Sequence, residues 1–79
     1  MKAVLIEWLD AVSFDPWEEL TEAKKLEPHV IQSLGWLVEE DDKKIIIAGA
    51  WDLEREGVAS SWAIPKTWLI SMKEITLPE

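Results

Sequence analysis

A chain of 79 residues has room for one domain, 1–79, and for only a small core. Its 8 basic and 16 acidic side chains leave a net charge of −8, which argues against holding long DNA or RNA on a broad basic surface. There is no cysteine, so disulfides, thiolate nucleophiles and zinc–cysteine sites are excluded together, and no apolar run approaches the roughly 20 residues that span a bilayer.

Residues 2–10 place Val4, Ile6 and Trp8 on one side and Ala3, Leu5 and Leu9 on the other, the pattern of a strand flanked on both edges. This opening is too short in its apolar run and too soon acidic, at Glu7, for a signal peptide, so a soluble cytoplasmic protein is expected. A helix start follows. Asp15 suits an N-cap, Pro16 the first helical position, and Glu18 stands three residues beyond the cap. Lys24 and Lys25 complement the other end, and Pro28 closes a predicted helix of about three turns. Leu20 and Ala23 give it only a narrow apolar stripe.

Beyond Pro28 the period changes to two. Strands are predicted over 30–39 and 44–51, joined by the turn Glu40-Asp41-Asp42-Lys43, then over 58–64 and 68–75. The turn is a solvated hairpin tip; its carboxylates lack the spacing and the glycine of an EF-hand loop. Gly35 and Gly49 fall inside strands, where glycine marks a bulge or sharp curvature, and the hairpin register sets Trp36 opposite positions 47 to 49. The expected fold is mainly β: a small five-stranded barrel with one short α-helix between strands 1 and 2. Curling lets one apolar face surround the core and shortens the exposed edges.

The segment Ile64-Pro65-Lys66-Thr67-Trp68-Leu69-Ile70 resembles the corner of SH3-like barrels, where a proline-bearing turn links the last two strands. An Sm-like barrel shares that strand count and curvature. The paired tryptophans and acidic loop pattern of SH3 peptide-binding domains are missing, so the resemblance implies shape and not peptide recognition.

No catalytic motif emerges. His29 is the single histidine, it follows a proline, and no serine or cysteine nucleophile accompanies it. The chain is expected not to be an enzyme and to need no cofactor or metal. Binding features are stronger, because 6 tryptophans are present where core filling competes with surface stacking. Lys66 lies two residues before Trp68 at the corner, a point charge for phosphate beside a stacking surface for a base. On the preceding strand Ser60 and Trp62 share a face and add a hydroxyl and a second indole. Lys66, Trp68, Trp62 and Ser60 are therefore the candidate ligand-binding residues.

Trp8-Leu9-Asp10-Ala11-Val12-Ser13, Gly35-Trp36-Leu37-Val38-Glu39-Glu40-Asp41 and Ile64-Pro65-Lys66, with Ile70 and Ile75, resemble a family of small phage and prophage accessory proteins. That resemblance implies a protein acting in the cytoplasm of an infected bacterium, and it carries no catalytic residues across. Such accessory proteins include sponges, which sequester cyclic-nucleotide immune signals without cleaving them. The expected function is therefore a non-enzymatic anti-defence protein that binds a small nucleotide, with no membrane and no long nucleic acid as partner. The alternative is an acidic inhibitor that occludes a basic host nucleic-acid-binding or defence protein through Glu39 to Asp42, Glu54 and Glu56. An apolar share of 48% in so short a chain also predicts a homo-oligomer with tryptophan at its interface.

Overall fold

The computed structural model describes residues 1–78. Its elements are β1 (Ala3–Asp10), α1 (Leu20–Ala23), β2 (His29–Glu40), β3 (Lys44–Asp52), β4 (Gly57–Pro65), a short 3₁₀ turn η1 (Lys66–Trp68) and β5 (Leu69–Ile75). All five strands form one antiparallel sheet in the order β4-β3-β2-β1-β5. The predicted mainly β fold, with one short helix between the first two strands, is the observed one.

β1 lies between β2 and β5, the central position expected of it, with only its Val4, Ile6 and Trp8 face buried. Val4, Ile6 and Trp8 enter the core, where they meet Ile45 and Ile47 of β3 and Ile64 of β4, with Ile31, Leu37, Leu69 and Met72 packed around them. The sheet is strongly curled. Trp8 and Trp62 stand three strands apart, about 14 Å in a flat sheet, yet their rings meet edge-on with centroids 6.2 Å apart. The curl stops short of closure: β4 and β5 are the two edges of the sheet and share no ladder among the described residues.

Curvature has identifiable causes. The β2–β3 register shifts between Leu37 and Glu39, and the β1–β5 register shifts between Glu7 and Trp8. Gly35 permits close approach of β3: a Cβ there would stand 2.8 Å from the Ala48 carbonyl oxygen and 3.3 Å from the Ile47 Cβ. Trp36 pairs with Ala48, inside the predicted window. Trp51 is not its register partner, although the two rings meet edge-on at 5.3 Å.

The helix differs most from expectation. Only Leu20–Ala23 is helical, its N-cap is Glu19 and no side chain caps it. Asp15, Pro16 and Glu18 precede the helix instead of opening it. A capping signal contributes about 1 kcal/mol, whereas an isolated helix shorter than about 12 residues is marginal in water. Packing would have to provide the difference, and α1 buries no residue.

Candidate functional site

Two aspartates shape the hairpin ends. At the β2–β3 tip the Asp41 Oδ1 accepts from the backbone N–H groups of Lys43 and Lys44 at 2.8 and 2.9 Å, and its Oδ2 accepts from Lys44 Nζ at 2.9 Å. The Lys44 ammonium, followed by those two backbone donors, holds the Asp41 carboxyl at about 2, well below the usual carboxylate range. The same contact pushes Lys44 above the ordinary lysine value. At the β3–β4 turn the Asp52 Oδ1 accepts from the N–H groups of Glu54 and Arg55 at 3.0 and 3.2 Å. The predicted acidic tip is thus a side-chain-pinned turn.

Next to this tip lies the corner between β4 and β5. Pro65 ends β4 and Lys66–Trp68 makes a single 3₁₀ turn, where the sequence places the break. The Lys66 backbone N–H donates to the Lys43 carbonyl at 2.8 Å, docking the corner on the hairpin tip. Its side chain is committed as well: Lys66 Nζ pairs with the Glu40 carboxylate at 2.9 Å. Proximity of the corner to the β2–β3 tip gives Lys66 an internal partner that sequence spacing does not reveal.

Trp68 ends the turn. It is 42% exposed and lines a groove of about 280 Å³ with Leu9, Asp10, Ala11 and Pro28. The β1–β5 pairing brings Trp8 opposite Leu69 and so carries Trp68 to the end of β1. Four lining residues of this groove escape sequence reasoning, because which strand flanks β1 on its second side is a long-range choice. The usable signal was Asp10, a carboxylate that ends the strand directly after Trp8 and Leu9.

Trp62 and Ser60 sit on β4. Trp62 packs on Trp8 and is still 57% exposed, at the open edge of the curl. Ser60 has a φ of 57°, a left-handed residue within an edge strand, and its Cβ faces Gly49. The β3–β4 register runs through this residue without a shift, from Ile47–Trp62 and Ala48–Ser61 to Ala50–Ala59, so the left-handed backbone is local to Ser60. Thus Trp68 lies in the β1-end groove, Lys66 pairs with Glu40, and Trp62 stacks on Trp8; the grooves found do not join the four candidate residues in one lining. His29 is an exposed strand-end residue opposite Asp10. Among the described residues no cluster of His, Asp and Glu is placed to hold a metal ion.

What fold and groove define is a small curled β domain presenting half-exposed indoles. Comparison with family models, curated proteins and solved structures finds no match for this chain. No helix among the described residues is long and apolar enough to cross a membrane.

Proposed function

We propose that this chain acts by binding and not by catalysis, sequestering a small nucleotide immune signal, a cyclic nucleotide foremost, in the cytoplasm of a bacterium infected by the phage that encodes it. The observation that carries the reading is the Trp68 groove. A half-exposed indole offers a base a stacking surface worth about 1–3 kcal/mol, and the Asp10 carboxylate beside it accepts from the N–H groups of a base edge or from a ribose hydroxyl. Lys66, in the same 3₁₀ turn, supplies a phosphate contact once it leaves Glu40.

Calorimetric titration against cyclic di- and trinucleotides and ADP-ribose-type signals tests the proposal. Heat that vanishes in Trp68→Ala and grows in Glu40→Gln, which frees Lys66, is the expected result. No heat with any member of the panel at tens of micromolar protein overturns it.

The Lys66–Glu40 pair favours a second reading, an acidic inhibitor of a basic host protein, because it neutralises the lysine that a phosphate would need. Capture of a host protein that weakens steeply with salt, with no nucleotide heat, would select it.

A further inference from the structure

The connection between β1 and β2, residues 11–28, behaves as an arm. Phe14, Leu20 and Leu26 are exposed and Trp17 is fully so; Leu20 reaches 70%. A compact domain of this length has a radius of gyration of about 12 Å, whereas this chain has 16.2 Å and a long axis of 53 Å. β2 extended accounts for about 40 Å of that axis, and the arm projects from the end of the β1–β2 ribbon where Asp10 pairs with His29.

The opposite end of the same ribbon, where Ala3 pairs with Trp36, carries an unfilled apolar groove. It measures about 290 Å³ and is lined by Ala3, Leu34, Trp36, Ile75 and Leu77 among others, with no charged side chain. Leu34 is 66% exposed there. In a chain of net charge −8 this is a place where two copies can touch without like-charge contact. The rim keeps a cation for an acidic arm: Lys73 pairs with Leu5 beside the groove, Lys2 is engaged by Glu74 at 3.8 Å, and Asp15, Glu18 and Glu19 flank Trp17 on the arm.

From these two unpartnered halves we infer that the arm of one copy fills the groove of a second copy, and reciprocally, in a two-fold dimer. Arm and groove stand about 23 Å apart along the ribbon at about 3.3 Å per residue. A two-fold axis across the ribbon reverses one copy against the other, so each arm end meets the partner's groove end and both contacts form at once. Trp17 is the anchor, because a buried indole dominates an interface of this size. Midway, the Gln32 amide donates to the Glu7 carboxylate at 3.3 Å, a polar waist that leaves the contacts to the two ends.

The test is mass by light scattering at micromolar concentration, for the parent, Trp17→Ser and Leu34→Glu. Both substitutions fall at exposed positions, and circular dichroism verifies that each variant keeps its sheet. The parent should have about twice the 9.1 kDa of one chain. Each variant alone should fall about twofold in mass, and an equal mixture should be heavier than either variant and lighter than the parent, since the mixed pair keeps one of its two contacts, an intact Leu34 groove accepting an intact Trp17 arm. A parent of 9.1 kDa overturns the inference. A Trp17→Ser protein that keeps the parent mass, or a mixture no heavier than its parts, overturns it equally.

Discussion

Replacing Gly35 by alanine probes the curl directly. The added methyl would stand 2.8 Å from the Ala48 carbonyl oxygen, closer than real Cβ atoms come, and 3.3 Å from the Ile47 Cβ. The first obstacle is backbone of a paired strand, so relief requires β2 and β3 to separate where the Trp36–Ala48 pair holds them. Overpacking of this kind costs about 1–3 kcal/mol. Loss of glycine's freedom in the unfolded chain offsets about 0.4–1 kcal/mol of it, leaving a net destabilisation of about 1–2 kcal/mol. For a domain of this size that lowers Tm by about 4–16 °C. Gly57→Ala is the control, because a Cβ there meets nothing within 4 Å and the residue is not left-handed; it should match the parent or exceed it slightly. Urea and thermal unfolding of the three proteins decide the matter. A Gly35→Ala protein as stable as Gly57→Ala would refute the close-approach argument, and with it the account of why the sheet curls.

Ile6 is fully buried at the centre of the core, so Ile6→Ala should cost about 2–5 kcal/mol in chemical unfolding and leave the protein at or near its stability limit. The depressed Asp41 carboxyl stabilises the folded state above the usual carboxylate value; that contribution should fade as pH falls toward about 2. A carboxyl NMR titration should place its midpoint there, and a midpoint near 4 would show the turn unpinned in solution. Lys44 is raised, so its share persists through neutral pH and is lost only above the ordinary lysine range. Lys66→Ala breaks the part-exposed pair with Glu40 and should change stability by no more than about 1 kcal/mol in thermal unfolding. Trp68→Ala should abolish nucleotide heat with little change in Tm; a large fall in Tm would make Trp68 a core residue.

Strand order along the chain, the hairpin tip at Asp41 and the corner at Pro65 were legible in the sequence because their signals are local. Alternation is set by the pleat, and turn chemistry by the conformational limits of aspartate and proline. Turn length places Trp36 within one residue of its partner, and the bulge between Leu37 and Glu39 sets it opposite Ala48. The length of α1 was not legible. Its capping residues are present, but a helix this short survives only on tertiary contacts, and Leu20 and Trp17 stay exposed. The candidate site divides the same way. Lys66 and Trp68 are placed at the corner by sequence, whereas Glu40 beside Lys66, and Leu9, Asp10 and Pro28 beside Trp68, come from segments distant in sequence. Local residue chemistry determined where the chain extends and turns; only the curling of the sheet decided which side chains meet, because burial of apolar surface draws on strands distant in sequence at once.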